Sequence, residues 1–452
     1  MKVDVLVAEI GSTTTAVNAF TGLESANPAL IGQGVAPTSV ESGDVTVGLK
    51  QAIADLKTQF ETDELSWEHM FASSSAAGGL SMTVHGLVYD MTVRAAREAA
   101  LGSGAVLRHV TAGKLRRTDI ARIQQISPNI ILVAGGVDYG ERDTALNNFE
   151  MIAANVPGIP IIYAGNIENH DEIALIAQEL GTEVFFVENC YPSIDQLNVE
   201  PTRKVIQDVF EKHIIHSPGM EKIHEMVDST IMPTPGAVMQ AAKIAYEDLG
   251  DLIVFDVGGA TTDLHSVTEG SPAIQMIMMY PEPVAKRTVE GDLGVYVNRH
   301  NIIEQLTERE LNEFFPDREY YLEHAMEIPQ EPDEIDFVER LAQFCCKLAL
   351  SRHAGTMTEL YTAHGRKVTA QGKDLTAVKT IIGTGGALTR LPRRREILES
   401  LRVHDVVKEL YPTTDAVVKI DHDYIMASLG VLSTKFPEAA MKLLLQSMAV
   451  EA

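Results

Sequence analysis

Asp4-Val5-Leu6-Val7-Ala8-Glu9-Ile10-Gly11-Ser12-Thr13-Thr14-Thr15 opens the chain, and Asp251-Leu252-Ile253-Val254-Phe255-Asp256-Val257-Gly258-Gly259-Ala260-Thr261-Thr262 repeats its pattern in mid-chain. Each is an apolar run that ends in an acidic residue, one aliphatic residue, a glycine and small hydroxyl residues. Glu9 and Asp256 fall at one register, as do Gly11 and Gly258, and the pairs Thr14-Thr15 and Thr261-Thr262. A short apolar run closed by a glycine turn reads as a buried strand. Two matched copies imply two similar lobes facing one ligand.

The residue types suit a phosphate chain. Glycine lets the backbone approach closely, because no Cβ stands in the way. Successive turn N–H groups make a concave anion site. Hydroxyls add donors without charge. A strand-end carboxylate repels phosphate and therefore calls for a divalent cation between them. Mg²⁺ is held in this way, through one or two carboxylates, waters and phosphate oxygens. For one copy alone, an ordinary strand and hairpin turn is an equal account; for two copies in register it is a poor one. A third stretch, Val378-Lys-Thr-Ile-Ile-Gly383-Thr384-Gly385-Gly386-Ala-Leu388, is a strand running into a glycine-rich turn with no acid at its end. Taken alone it reads as a plain strand-to-helix turn.

In this order the three stretches resemble the actin, sugar kinase and DnaK-type superfamily of ATPases. The resemblance implies an α/β, two-lobed, actin-like fold of duplicated ribonuclease H-like domains, with the nucleotide in the inter-lobe cleft. It assigns Gly11, Ser12, Thr13 and Thr14 to one phosphate loop, and Gly258, Gly259, Ala260 and Thr261 to the other. Gly383, Thr384, Gly385 and Gly386 become the adenosine loop. ATP or ADP with Mg²⁺ is the implied ligand, and Glu9 and Asp256 are the metal-side, catalytic carboxylates. The superfamily usually has Asp where this chain has Glu9, which puts the metal geometry there in question.

Further stretches narrow the resemblance. Ile130-Ile-Leu-Val-Ala-Gly-Gly-Val-Asp138-Tyr-Gly140, Tyr163-Ala-Gly-Asn166, Pro235-Gly-Ala-Val238, Val257-Gly-Gly-Ala-Thr-Thr-Asp-Leu-His265 and Arg287-Thr-Val-Glu-Gly-Asp-Leu-Gly294 together resemble the glutamate mutase accessory family called MutL or GlmL, unrelated to mismatch repair. Such proteins are thought to reactivate adenosylcobalamin-dependent mutases, or related aminomutases, by ATP-driven exchange of damaged cofactor. The implied partner is therefore such a mutase.

Composition agrees. At 452 residues, 45% hydrophobic and 22% charged, the chain has room for at least two cored domains. A net charge of −26 argues against nucleic acid or anionic membrane as partner. Cys190, Cys345 and Cys346 read as core thiols. No secretory leader or membrane-length apolar run is evident, so a cytoplasmic protein is expected. A homodimer is left open.

The expected organisation is a first lobe over 1–245, a second over 246–430, and a C-terminal helix over 431–452 packing on the first lobe or on a partner. Residues 3–10, 14–20 and 30–35 read as opening strands. Alternating strands and helices over about 105–200 imply a parallel sheet elaborating the first lobe. Residues 330–336 read as an acidic loop and 337–361 as one long helix.

Asp138, after Gly135-Gly136 at another strand end, is a candidate to position the attacking water; a turn-holding role reads equally well. Asp263 either orients the second phosphate turn or caps local backbone. Arg287, Glu290 and Asp292 are candidate partner-binding residues, since their stretch has more charge and glycine than a buried strand needs. A structural loop is the alternative. The scatter of His213, His216 and His224 lacks zinc-site spacing. Two other functions share the motifs: a small-molecule kinase, and a non-catalytic actin-like assembly protein. Label transfer to a small molecule would mark the first, and nucleotide-dependent filaments the second.

Overall fold

The computed structural model describes residues 1–11, 14–39, 44–74, 80–103, 105–214, 222–223, 226–228, 231–326, 328–362 and 365–449. The chain divides into two compact units, Met1–Val238 with Ala427–Ala439, and Met239–Met426 with Ala440–Ala452. The first boundary falls inside the helix Thr234–Leu249.

The strands of the first unit are, in chain order, β1 (Lys2–Ile10), β2 (Thr14–Thr21), β3 (Ala29–Pro37), β4 (Ser66–Ser74), β5 (Leu80–Gly86), β6 (Ala105–Ala112), β7 (Ile130–Val133), β8 (Ile161–Tyr163), β9 (Val184–Phe186) and β10 (Ile231–Pro233). One sheet has the order β10-β4-β1-β2-β3. Within it β1, β2 and β3 run antiparallel, while β4 and β10 extend the other edge in parallel.

The second unit contributes β11 (Leu252–Val257), β12 (Thr262–Val267), β13 (Ala285–Glu290), β14 (Thr356–Thr362), β15 (Gly365–Gln371), β16 (Thr380–Thr384) and β17 (Val417–Ile420). Its main sheet has the order β13-β12-β11-β16-β17. Again three antiparallel strands are followed by two parallel ones. The same connectivity therefore occurs twice, and the two acid-ended strands, β1 and β11, occupy the same central place. This is the duplicated ribonuclease H-like, actin-type topology that the superfamily resemblance implied.

Inserted in the first unit is a third sheet, β6-β5-β7-β8-β9, parallel throughout. It begins at Leu80, upstream of the 105 expected from the sequence. Its central strands β7 and β8 are short and apolar because both faces are covered. On β7, Ile130 and Leu132 join the core shared with the first sheet, while Ile131 and Val133 face a second core with Phe149, Ile152 and Ile173. Gly430, in the helix Met426–Leu432, meets Ala237 so closely that a Cβ would lie 2.6 Å from the Ala237 carbonyl carbon.

The second unit's core is one face of its sheet, with Ile253, Phe255, Val257, Leu264 and Ile381, closed by the helix Pro332–His353. That helix starts earlier than the expected acidic loop allows. Pro332 sits in its first turn, and Asp333 and Glu334 favour a helix N-terminus. It also ends earlier, at His353, because Thr356-Met-Thr-Glu-Leu-Tyr-Thr362 pairs with β15 as a hairpin. β-branched residues at alternate positions favour that pleated pairing over a helix.

Candidate functional site

The second unit's candidate phosphate turn, residues 258–261, is held from behind. Gly258 N–H donates to Thr261 O at 2.9 Å, closing the turn. Val295 N–H donates to Gly258 O, and the N–H groups of Tyr296 and Val297 donate to Gly259 O at 2.9 and 2.7 Å. Asn298 Nδ2 donates to Ala260 O at 2.6 Å. All four carbonyls of residues 258–261 are thus taken up. The N–H groups of Gly259, Ala260 and Thr261 are engaged by no described residue. A turn whose acceptors are all satisfied and whose donors remain at hand can receive an anion. In the first unit Gly11 N–H donates to Thr14 O at the same 2.9 Å. Ser12 and Thr13 lie outside the described residues.

Strand register explains the acid. Asp256 pairs laterally with Asp263 on β12 and with Thr384 on β16. Gly385, at φ +83°, turns the chain directly against it; a Cβ there would collide with Asp256 Oδ1 and lie 2.6 Å from Val257 N. Gly386, one residue on, faces open space. The third glycine turn and the second phosphate turn are therefore one site within one unit. In the first unit the same register sets Glu9 beside Ser73 of β4, and the turn after β4 lies outside the described residues.

Asp256 is partly exposed. Burial, with Asp263 and Asp421 adding negative charge against the pull of Arg287, pushes its carboxyl up to about 7. Asp263 is raised by burial, with Arg287 opposing. Arg287 Nη2 donates to Asp263 Oδ1 at 2.9 Å. His265, opposite Arg287 on the ladder, is fully buried. Neither of its ring nitrogens has a hydrogen-bond partner among the described residues, and burial holds it neutral. Carboxylates thus outnumber cations around a partly open strand end, which suits a divalent cation. Among the described residues no cluster of three or more ligating side chains occurs. Mg²⁺ held through Asp256, water and phosphate oxygens needs no such cluster, so the residues fit it.

Asp421 was not singled out in the sequence. It is fully buried one residue after β17 and accepts from Thr384 Oγ1 at 3.0 Å, Ser447 Oγ at 2.7 Å and the backbone N–H groups of Ile425 and Met426. It ties the third glycine turn to the helix start behind it. The signal was present, since Lys419-Ile420-Asp421 also ends a strand in an acid, but its partners lie on other elements.

Of the candidate partner residues, Arg287 and Glu290 are enclosed, while Asp292 keeps 41% of its side chain exposed. Arg287 is only 1% exposed and Glu290 7%. Glu290 is paired with Arg352, and Arg352 also holds Asp292 at 2.8 Å. A guanidinium enclosed in the sheet has no surface to offer. The stretch instead supports the phosphate turn, since a Cβ on Gly294 would lie 2.6 Å from Ala260 Cα. Asp138 is placed on the inserted parallel sheet, apart from the strands that carry Glu9. Its Oδ1 accepts from Ile167 N–H at 3.1 Å and Asn189 Nδ2 at 2.9 Å, which is the turn-holding role.

A family model described as MutL protein matches residues 5–448. The chain belongs to that family. It is 35% identical over 459 residues to Protein MutL of Clostridium tetanomorphum, covering 97% of this chain and 98% of that one. Among solved structures it is similar to the ethanolamine utilization protein EutJ from Carboxydothermus hydrogenoformans, at 10% identity, 94% and 88% coverage and a TM-score of 0.30. A ligand-bound xylulose kinase from Lactobacillus acidophilus shares 11% identity over 99% of this chain and 91% of that one, with a TM-score of 0.32. The fold assignment of this MutL-family chain rests on its own two sheets. Among the described residues no helix is long and apolar enough to cross a membrane.

Proposed function

We propose that this MutL-family chain binds and hydrolyses MgATP, and that the cycle drives exchange of damaged cofactor on an adenosylcobalamin-dependent mutase, such as glutamate mutase or an aminomutase. The observation that carries the nucleotide part is the phosphate turn at 258–261, with every carbonyl engaged and three N–H groups at hand. Family membership supports the partner. Phosphoryl transfer to water asks the protein for positioning and charge stabilisation more than for covalent chemistry. Gly259, Ala260 and Thr261 would donate to phosphate oxygens, and the 295–298 loop keeps them aimed. Gly385 brings the third turn against Asp256, and Asp421 holds that turn through Thr384. Asp256 would hold Mg²⁺, which when bound neutralises charge on the phosphates; Glu9 stands at the equivalent register of the first unit's sheet. A nucleotide alters partner affinity only through unequal affinity for two states of the protein.

The test is phosphate release from MgATP by the purified chain, alone and with glutamate mutase whose cobalamin has been inactivated. Stimulated release together with recovered mutase activity is the expected outcome. Recovery of activity that proceeds equally well without nucleotide would sink the reading, as would transfer of the γ-phosphate to a small molecule.

A further inference from the structure

The inserted parallel sheet has the order of a doubly wound fold. From β5 the chain crosses to β6 on one side, then returns past β5 to β7 on the other. Such a switch point, at the carboxyl ends of the strands, is where doubly wound sheets take their ligands. Here that edge is built with care. Gly135 and Gly136 adopt φ +149° and +71°, and Tyr139 is held at φ +64°, a region that costs a side-chain-bearing residue energy. Asn166, fully buried, accepts from Tyr139 N–H at 3.2 Å and from Glu168 N–H at 3.1 Å. Asp138 N–H donates to Pro192 O at 2.9 Å, so the loops after β7, β8 and β9 are bonded to one another.

That rigid frame presents apolar groups to water. Val88 and Tyr89 follow β5, Tyr139 follows β7, Ile167 follows β8 and Ile194 follows β9, and they are between 42% and 79% exposed. Apolar tips gathered on one edge and held by buried asparagines are a surface kept for contact. The charge around them selects the occupant. Asp90, Glu141, Asp143, Glu168, Glu188 and Asp195 are all exposed there. The cations on this edge are Lys114, Arg116, Arg117, Arg142, which faces Glu168 at 3.7 Å, Arg94, and Arg97, which donates to Tyr89 Oη at 3.1 Å; with Asp171 and Glu172 also exposed at the helix start after β8, the acids remain in excess. An acidic rim repels the phosphates that this switch point takes in other folds, and repels nucleic acid and anionic lipid as well.

We propose that this edge of the parallel sheet is a docking surface for a protein that carries lysine or arginine side chains around an apolar projection; on the function proposed above, which this inference rests on, that protein is the mutase. It separates the tasks: the second unit's turn holds phosphate, and the inserted sheet holds the client.

The test compares wild type with Tyr139→Asn/Ile194→Ser for binding to purified glutamate mutase carrying adenosylcobalamin. Asparagine tolerates the left-handed backbone of Tyr139, and both side chains are exposed, so the variant folds. The variant is expected to bind about 30-fold more weakly or worse, as for loss of a hot spot. Its MgATP affinity and unstimulated phosphate release stay at wild-type levels, and added salt weakens the wild-type complex. If wild type binds the mutase and the variant binds equally well, the surface is wrong while the proposed function stands. If wild type binds no mutase, both fall. If the variant instead loses self-association, the face belongs to a second copy of the chain and the proposal is overturned.

Discussion

Replacing Arg287 with methionine removes the cation that balances Asp263 inside the second unit. Asp263 is 5% exposed and Arg287 1%, so water cannot take over the lost partner. Breaking a buried pair from one side costs about 3–5 kcal/mol, because a desolvated charge is left behind. That is a large part of the roughly 5–15 kcal/mol that stabilises a domain. The cost depends on pH. Burial already raises the Asp263 carboxyl, and Arg287 opposes that rise. Without Arg287 the folded carboxyl rises further above its unfolded value. A group raised in this way contributes stability that is present at low pH and lost as pH rises through the folded value. Arg287→Met should therefore be mildly destabilised near pH 5 and strongly so at pH 8. Adding Asp263→Asn should recover much of the loss at pH 8, since it removes the orphaned charge. Urea melts followed by circular dichroism measure this, with Trp67, on β4 of the first unit, as a fluorescence control. A loss below about 1 kcal/mol at pH 8, as for an exposed pair, would refute the reasoning; so would a double variant no more stable than the single one.

Asp256→Asn should raise the melting temperature of metal-free protein at pH 8 and leave it unchanged near pH 4, because the folded carboxyl is pushed up to about 7 and its stability contribution is lost as pH rises through that value. The same variant should abolish phosphate release while ATP binding persists, measured by calorimetry. Gly294→Ala should weaken ATP binding by about tenfold or more, roughly 1.4 kcal/mol, because its Cβ drives into Ala260. Gly258→Ala should be mild by comparison, since a Cβ there meets only Thr261 O at 3.4 Å; equal losses in titrations of the two variants would count against the 294–298 loop as the support of the turn. Gly430→Ala should destabilise the first unit by about 1–3 kcal/mol through overpacking against Ala237, read as an earlier Trp67 transition in urea.

By itself the sequence determined the strand ends. Glu9 and Asp256 stand at one register before Gly11 and Gly258, and that pattern specifies buried strand, acid and close backbone approach wherever it occurs. Its repetition announced two similar lobes, and the alternation of strands and helices announced a parallel sheet. Each of these is a property of a few consecutive residues. What the tertiary structure decided is which groups face one another. Arg287 reads as surface charge because its neighbours in the chain are Lys286, Glu290 and Asp292, yet on the adjacent strand it lies opposite His265 and its guanidinium reaches Asp263. Asp138 reads as a strand-end acid like Asp256, yet its strand belongs to the inserted sheet, where Asn189 and Ile167 use it as a tie. The stretch 356–361 reads as the end of a helix because its partner strand, not its own composition alone, makes it a strand. A ladder pairs residues far apart in sequence, so the electrostatics of a site are set by register and burial, and no local pattern carries that information.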